Sequence, residues 1–372
     1  MYYPAIVIIA YNRADSLKRL LSSVKAADFP KDTPVALVIS IDRGDNPEVA
    51  EAAREFEWPY GEKRIVEHKE RLGLKRHVLE CSGYSLEYGS AILLEDDLYV
   101  AQDFYEFARK ALEFSDSDER IAGVSLYNHR LNVHAREPFE AIDDGFDNWY
   151  FRFASSWGQA YTAKQWKAFA AWMEKNDTTP FPDSVPENVR SWGESSWLKY
   201  FIRYVVEKDL FFLYPRVSRT TNFSEAGTHR MGQVADLQVP LGRAPVSGEY
   251  RFSTTEESGS KYDAYFENRD LEDIFDRPAV VDLYGKKPVP EDGGYFLSCR
   301  RLPFRVVKSF GRLLRPIDAN IFGDIEGEAF FLYDTSVSGK PPAIKDSDRL
   351  LYNYRAYKVK HGLSILLRRL FG

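Results

Sequence analysis

Residues 91–97 read Ala-Ile-Leu-Leu-Glu-Asp-Asp, a short stretch from which the fold class can be predicted. Four apolar residues in succession are typical of a β-strand that is buried on both faces of a parallel sheet. The three carboxylates that follow, here called the acidic triplet, are Glu95, Asp96 and Asp97. Neighbouring carboxylates repel one another unless a cation shares their field, and Mg²⁺ and Mn²⁺ prefer oxygen ligands, so the triplet predicts a metal–diphosphate site. A solvated acidic turn that caps the next helix is the alternative interpretation.

The chain around this stretch alternates buried strands with amphipathic helices. We predict strands at Ala5–Ala10, Val35–Ile41, Ile65–Val66 and Ala91–Leu94, and helices at Asp15–Val24, Pro47–Phe56, Arg76–Tyr84 and Phe104–Phe114. This alternation predicts a doubly wound α/β fold, in which ligands bind beyond the carboxyl ends of the strands. Arg13 and Asp42 follow the first two strands. Taken singly they are a surface arginine and a turn aspartate, but an edge shared with the acidic triplet favours contact with a nucleotide base.

The composition excludes several classes of protein. The chain has 372 residues and a formal net charge of −6, which argues against a globally basic nucleic-acid-binding protein. Its two cysteines, Cys81 and Cys299, are too few for a disulfide scaffold or a four-thiolate zinc site. No apolar run reaches the roughly 18 residues of a membrane-spanning helix, and the run Ala5–Ala10 has no basic flank, so we expect a cytoplasmic location.

The sequence changes character beyond Asn222, where periodic signals weaken and turn residues become frequent. We therefore predict an α/β domain over residues 1–235 and a C-terminal α+β extension over residues 236–372. Two segments of the extension, 299–315 and 358–371, combine Lys and Arg with apolar residues. They predict basic amphipathic helices, which either bind an anionic membrane surface on the inner face or pack an apolar stripe on the first domain.

Tryptophans and one carboxylate stand out between residues 155 and 207. Trp157 precedes Gly158, and Trp192 lies two residues before Glu194. Tryptophan rings fill protein cores and also stack on sugars, so both roles stay open. Glu194 stands at the start of a predicted helix, Glu194–Glu207, where an acid serves as a helix cap or as a general base.

A flexible segment follows at residues 225–229, which read Glu-Ala-Gly-Thr-His. Its backbone amides, hydroxyl and imidazole suit a loop that closes over phosphates, and an ordinary turn is the equal alternative.

Four motifs occur in a familiar order: AIVIIAYNR at 5–13, ISID at 39–42, AILLEDDLYVAQDFYEF at 91–107 and YPRVSRTTNFSEAGTH at 214–229. Together they resemble the GT-A nucleotide-diphosphosugar glycosyltransferases, in particular N-acetylglucosaminyltransferase I and relatives in bacterial surface-polysaccharide synthesis. The similarity covers about residues 4 to 231. It implies a Rossmann-like mixed sheet and transfer of a sugar from a nucleotide donor.

The resemblance also implies roles for individual residues. Asp97 matches the acid that coordinates the Mn²⁺ or Mg²⁺ bridging the donor diphosphate, and the rest of the triplet matches contacts to the ribose and donor sugar. The other donor positions that the resemblance implies are Ala10, Tyr11, Arg13 and Asp42 around the uracil ring, His77 near the nucleotide, and Gly227 and Thr228 in the mobile loop. The expected donor-sugar and acceptor pocket contains Trp157, Gly158 and Trp192.

The catalytic base departs from the family pattern. The family places an aspartate between tryptophans at a helix start, whereas residues 191–197 here read Ser-Trp-Gly-Glu-Ser-Ser-Trp. Glu194 is the carboxylate within this window and is our candidate for the base, with Asp183 as the fallback.

The expected reaction is metal-dependent, inverting transfer of a sugar from a nucleotide diphosphate, UDP in the first place, to a hydroxyl of a glycan or lipid-linked glycan. Such a step belongs to surface-polysaccharide or glycoconjugate synthesis. The alternatives are a retaining enzyme, a GDP or dTDP donor, and a non-catalytic module that binds sugar nucleotides. A nucleotidyltransferase is expected to have a glycine-rich phosphate loop after the first strand, and Tyr11 to Arg13 do not provide one.

Overall fold

A computed structural model describes residues 2–223, 237–244, 249–343 and 367. The chain divides into two compact units, the first comprising Met1–Arg130 and Asp143–Ala264, and the second Leu131–Ile142 and Tyr265–Gly372. The division therefore lies at Ala264 and not at the predicted position 235. The reason is that Lys261–Tyr262 forms a strand that pairs with the sheet of the first unit.

The strands and helices are numbered in chain order. The strands are β1 (Ala5–Ala10), β2 (Leu37–Ile41), β3 (Lys63–Glu67), β4 (Ser90–Glu95), β5 (Leu98–Val100), β6 (Ile121–Ser125), β7 (Leu131–Asn132), β8 (Glu137–Pro138), β9 (Asn148–Phe151), β10 (Gln159–Thr162), β11 (Phe211–Pro215), β12 (Thr220–Asn222), β13 (Lys261–Tyr262), β14 (Ala279–Asp282), β15 (Tyr295–Ser298), β16 (Phe304–Phe310) and β17 (Phe330–Ser338). The α-helices are α1 (Ala14–Lys25), α2 (Glu48–Glu55), α3 (Leu74–Ser82), α4 (Tyr84–Tyr88), α5 (Phe104–Ser115), α6 (Ala163–Asn176), α7 (Glu187–Arg190), α8 (Leu198–Glu207) and α9 (Ala319–Phe322).

The first unit contains a mixed sheet whose strand order among the described residues is β13-β9-β11-β6-β10-β4-β1-β2-β3. Strands β1 to β4 run parallel, and β10 is antiparallel to both of its neighbours, β4 and β6. The side chains of β1 and β2 are buried throughout, as expected for apolar strands covered on both faces. The predicted α/β fold with a mixed sheet is confirmed.

The register of the central strands sets the position of the predicted site. Ile9 of β1 pairs with Glu95 of β4, and Ala10 pairs with Ile41 of β2. The chain continues this pairing past the strand ends, because the Asp42 amide donates to the Ala10 carbonyl at 2.9 Å and the Asp96 amide donates to the Ile9 carbonyl at 3.1 Å. The carboxyl ends of β1, β2 and β4 therefore meet at one edge of the sheet.

The predicted helix Glu194–Glu207 is shorter than expected, because α8 begins at Leu198. The residues before it form a turn in which the Ser196 amide donates to the Gly193 carbonyl at 3.0 Å. Glycine and serine are weaker helix formers than the residues that follow, so the helix starts only after them. Glu194 thus precedes the helix rather than opening it.

The second unit contains a sheet with the strand order β14-β15-β17-β16 and a short antiparallel pair, β7 and β8. The predicted basic helix at 299–315 is wrong, since residues Phe304–Phe310 form β16 and pair antiparallel with β17. The adjacent β-branched residues Val306 and Val307 favour a strand over a helix. The second predicted basic helix, 358–371, lies outside the described residues except for Leu367. In the part of the chain that the structure describes, no helix has the length and apolarity needed to cross a membrane.

Candidate active site

The acidic triplet lies at the end of β4 and is held by an arginine from the end of β1. Arg13 Nη1 donates to Asp97 Oδ2 at 3.0 Å, and Nη2 of the same guanidinium contacts Asp96 Oδ1. The Tyr11 amide donates to the second oxygen of Asp96 at 3.3 Å. The structure therefore brings four of the predicted donor-site residues together, and Arg13 joins two acids at once.

Burial shapes the charge of this site. It raises the pKa of Glu95 to about 8, with Asp97 and Asp96 adding to the effect. Burial also raises the pKa of Asp96 to about 6, although Arg13 opposes the shift. The pKa of Arg13 is raised by Asp96 and Asp97 in spite of its own burial, so the guanidinium stays charged. The upward shifts of Glu95 and Asp96 show that the buried site disfavours further negative charge, which a cation would offset.

One oxygen of the triplet suits a divalent cation. Asp97 Oδ1 is buried and has no hydrogen-bond partner among the described residues, while Oδ2 is held by Arg13. A free carboxylate oxygen is the ligand type that Mn²⁺ and Mg²⁺ prefer, so the residues fit such an ion. Within the described ranges, no three His, Cys, Asp or Glu side chains, those of the acidic triplet included, are placed so that they could hold one metal ion together. Asp97 would therefore share the ion with waters and phosphate oxygens, as is usual for Mg²⁺ sites.

Asp42 anchors the loop that leads into α3. Its carboxylate accepts hydrogen bonds from the amides of Arg43 at 2.9 Å, Leu72 at 2.7 Å and Gly73 at 2.9 Å. Gly73 has a φ of 75°, a left-handed conformation that glycine adopts without strain and that lets α3 start directly after it. The side chain predicted to contact the base is therefore buried and fixed, at the same edge as Ala10.

A buried polar cluster lies next to Asp42 and was not foreseen from the sequence. Ser40 Oγ lies 2.8 Å from His77 Nε2 and 3.0 Å from His68 Nε2. Burial lowers the pKa of His77 to about 4, so this imidazole is neutral at physiological pH. The serine hydroxyl has one proton and can donate it to one imidazole only, so the other imidazole must donate to the serine. The available signal was Ser40 itself, a hydroxyl within an otherwise apolar strand.

The Glu194 segment, residues 192–200, carries the candidate base. The Glu194 side chain is 83% exposed; its Oε1 lies 2.6 Å from Lys199 Nζ, and its Oε2 accepts from the Tyr200 hydroxyl at 2.7 Å. Lys199 is buried and also donates to the Trp192 carbonyl at 3.1 Å. These hydrogen bonds lower the pKa of Glu194, so its carboxylate is ionised.

The Glu194 segment is linked to the nucleotide side through α3. Lys75 follows Gly73, the glycine whose amide binds Asp42, by two residues. Its Nζ lies 4.0 Å from the ring centre of Tyr200. In the described part of the chain Glu194 makes no hydrogen bond or ion pair with the acidic triplet. The fallback base, Asp183, is 90% exposed and lies 2.6 Å from Arg190 Nη1.

The predicted sugar pocket has a clear structural component. Trp157 is half-buried, with its ring 4.8 Å from that of Tyr127, and its carbonyl accepts from Thr220 Oγ1 at 2.5 Å. Gly158 has a φ of 91°, and a Cβ there would approach Thr220 to 2.7 Å, so the position requires glycine. Trp192 is half-buried and packs edge-on against the ring of Phe153. These contacts explain Trp157 and Gly158 as packing residues and leave a sugar-facing role as a prediction.

The chain passes the acidic triplet again before the predicted mobile loop. Strand β12 pairs with β5, and the Phe223 amide donates to the Asp97 carbonyl at 3.1 Å. Gly227 and Thr228 lie outside the described residues, so their predicted contact with phosphate stays a prediction.

Comparison with known proteins supports the motif-based resemblance. Residues 5–156 match the family described as Glycosyl transferase family 2. An alpha-1,3-mannosyl-glycoprotein 2-beta-N-acetylglucosaminyltransferase from Arabidopsis thaliana is 25% identical over 241 residues, which cover 60% of this chain and 48% of the relative. The chain thus spans about half the length of that curated relative.

Solved structures match part of this chain at low identity and low TM-score. A mannosyltransferase from Pyrobaculum calidifontis, in complex with GDP-Man and Mn²⁺, is 14% identical with a TM-score of 0.36, over 59% of each chain. TarS 1–349 from S. aureus, in complex with UDP-GlcNAc, is also 14% identical with a TM-score of 0.36, over 60% of each chain. Residues 5–156 contain the sheet edge built from β1, β2 and β4; they match the model of glycosyl transferase family 2, and the predicted resemblance to GT-A glycosyltransferases is confirmed.

Proposed function

We propose that this chain is a metal-dependent glycosyltransferase that moves a sugar from a nucleotide diphosphate, UDP in the first place, to a hydroxyl of a glycan or lipid-linked glycan with inversion. The observation that carries the proposal is the free buried oxygen of Asp97, at the strand-end edge that also holds Arg13 and Asp42. A nucleotide that contacts Asp42 and Asp97 would bridge the carboxyl ends of β2 and β4, where α/β proteins bind ligands.

Different residues of this sheet edge bind different parts of the donor. Asp42 and Tyr11 bind the base end, with His77 behind Asp42 and Arg13 between the base and the diphosphate, and Glu95 and Asp96 bind the ribose and donor sugar. A Mn²⁺ or Mg²⁺ held by Asp97 would neutralise the charge that develops on the leaving diphosphate.

The acceptor step requires a base on the opposite face of the donor sugar. Glu194 is ionised and accepts the proton of the acceptor hydroxyl while the hydroxyl oxygen attacks the anomeric carbon. The bond to the diphosphate breaks in the same displacement, so the configuration inverts. Lys199 and Tyr200 hold the carboxylate in one orientation before the acceptor arrives.

A nucleotide panel tests the donor. Melting temperatures are measured with UDP-, GDP- and dTDP-sugars, each with and without Mn²⁺, because a ligand that binds the native state raises the melting temperature. We expect the largest rise with a UDP-sugar together with Mn²⁺. A larger rise with a GDP- or dTDP-sugar moves the donor to that nucleotide, and no rise with any pair argues against the proposal.

Product analysis separates the remaining alternatives. The anomeric configuration of the product distinguishes inversion from retention. A non-catalytic module would bind the donor without hydrolysing or transferring it, so release of UDP from a UDP-sugar in the presence of Mn²⁺ argues for an enzyme.

Membrane contact through the second unit is a separate proposal. Leu313 is 74% exposed and is followed by the exposed Leu314, which suits insertion into a lipid surface. Two cations of β16 weaken the case for anionic lipid, because Arg305 pairs with Asp334 and Lys308 with Asp324. Flotation with vesicles rich in phosphatidylserine tests it: Leu313→Ser should lose binding, and unchanged flotation would remove this surface from consideration.

A further inference from the structure

The acidic triplet is balanced by a cation that belongs to the protein itself. One guanidinium, that of Arg13, contacts both Asp96 and Asp97. Of the two oxygens of Asp97, Arg13 holds Oδ2, and Oδ1 has no partner in the described part of the chain. A metal ion on Asp97 would therefore share its carboxylate with a guanidinium that is already there.

The position of Arg13 is fixed at its backbone and open at its side chain. The residue precedes α1, and its carbonyl accepts from the Leu17 amide at 3.0 Å in the first turn of that helix. The side chain is 29% exposed, compared with 4% for Asp96 and 15% for Asp97. The guanidinium is thus the most exposed member of the cluster and can change partners without disturbing the core.

Electrostatics sets the metal ion and the guanidinium against each other. Two cations on the two oxygens of one carboxylate lie within a few ångströms, where their repulsion in a partly buried site is strong. A free divalent ion offers no anion to compensate the displaced arginine. A nucleotide diphosphate brings oxygens that can bind the metal ion and the guanidinium together.

We propose that Arg13 is an internal counter-ion that weakens binding of the divalent cation alone and favours its entry as a complex with the nucleotide diphosphate. The inference rests on the proposed function and adds an order of binding to it. On binding, the guanidinium exchanges the Asp97 carboxylate for a phosphate oxygen and keeps its contact with Asp96. Arg13 is in this sense a positioning residue that couples the metal site to the donor.

Titration with Mn²⁺ alone tests the coupling. Free Mn²⁺ is followed by electron paramagnetic resonance in the full chain without nucleotide, for the wild type and for Arg13→Gln, which removes the charge and keeps a hydrogen-bond donor. We expect Arg13→Gln to bind Mn²⁺ about tenfold more tightly than the wild type, within the usual range for coupled sites. Arg13→Met provides a second neutral variant in case the glutamine variant does not fold.

Two controls define the charge effect. Arg13→Lys keeps the positive charge and should bind Mn²⁺ alone as weakly as the wild type. Arg43→Gln removes a cation that donates to the Lys69 carbonyl and does not contact the triplet, so it reports the effect of net charge alone. Equal Mn²⁺ affinity for the wild type and both neutral variants overturns the proposal, as does an Arg43→Gln gain as large as that of Arg13→Gln.

The outcome is separable from the proposed function. The wild type is titrated with UDP in the presence of Mn²⁺, alongside Asp97→Asn. In one outcome, UDP binding depends on the metal ion and on Asp97 while the neutral Arg13 variants bind Mn²⁺ alone no more tightly than the wild type does. That result overturns the counter-ion proposal and leaves the proposed function standing. No metal-dependent binding of any nucleotide argues against the function itself.

Discussion

The acidic triplet and the Glu194 segment both place a carboxylate against a basic side chain, and the two carboxylates respond in opposite ways. Burial raises the pKa of Glu95 to about 8 even though Arg13 lies close by. Hydrogen bonds from Lys199 and Tyr200 lower the pKa of Glu194, whose side chain is 83% exposed. Burial and two neighbouring acids outweigh Arg13 at Glu95, whereas direct hydrogen bonds outweigh burial at the exposed Glu194.

This difference separates the chemistry that each region supports. The buried triplet keeps carboxylates close together and gains when a further cation enters, which suits a metal ion and a diphosphate. The exposed Glu194 stays ionised without such help, so it can take a proton. A lowered pKa also makes it a weaker base, so its role depends on position rather than on basicity.

The largest effect is expected from Asp97→Asn, which removes the carboxylate with the free oxygen. Changing residues that merely support a metal ligand costs about 10–100-fold in metal affinity, so we expect more than about 10²-fold loss of the Mn²⁺-dependent gain in UDP affinity. Calorimetric titration of UDP with and without Mn²⁺ measures it. If the Mn²⁺-dependent gain in UDP affinity were unchanged, the metal ion would bind elsewhere, and the acidic triplet would not differ from the Glu194 segment in its chemistry as argued above.

The next largest effect is expected from Glu194→Gln, which keeps the shape of the side chain and removes the base. We expect turnover to fall by about 10²–10⁴-fold with UDP-sugar affinity unchanged, because the residue acts on the acceptor. Initial rates at saturating donor, together with donor titration, measure both quantities. Since the pKa is lowered, the base should stay active to a pH below the ordinary titration range of glutamate.

The sequence predicted the triplet edge better than the Glu194 segment for a physical reason. A continuous apolar run such as Ala5–Ala10 indicates a buried strand, and the first residues after each strand lie at the sheet edge, so the positions of Asp42 and Asp97 at that edge followed from the pattern. Glu194 lies in a turn whose form depends on Lys199, a buried side chain that pattern does not reveal. The strand at Phe304–Phe310 was missed because basic residues alternating with apolar ones fit a helix face and a strand equally well.

A smaller effect is expected at His77, the buried imidazole behind the triplet edge. The unfolded chain takes up a proton below a pH of 6.5, whereas the folded imidazole does so only near 4, so stability is complete above 6.5 and is lost as the pH falls between these values. The loss amounts to about 3 kcal/mol. His77→Gln should flatten the fall in unfolding free energy between pH 7 and 4.5, as measured by urea denaturation. His68→Gln, which removes the other hydrogen bond to Ser40, should keep the slope, and a full slope in His77→Gln would contradict the assignment.

The smallest effect is expected from Asp183→Asn, the matched control for the candidate base. Asp183 is 90% exposed and pairs with Arg190, and exposed ion pairs contribute little to stability. Turnover should therefore stay within about twofold of the wild type, because the variant leaves the Lys199 and Tyr200 contacts of Glu194 in place. Assays of both variants under the same conditions decide between the two carboxylates. Loss of turnover in Asp183→Asn with normal turnover in Glu194→Gln would move the base to Asp183, and the ion pair of Glu194 would then be a feature of the turn before α8.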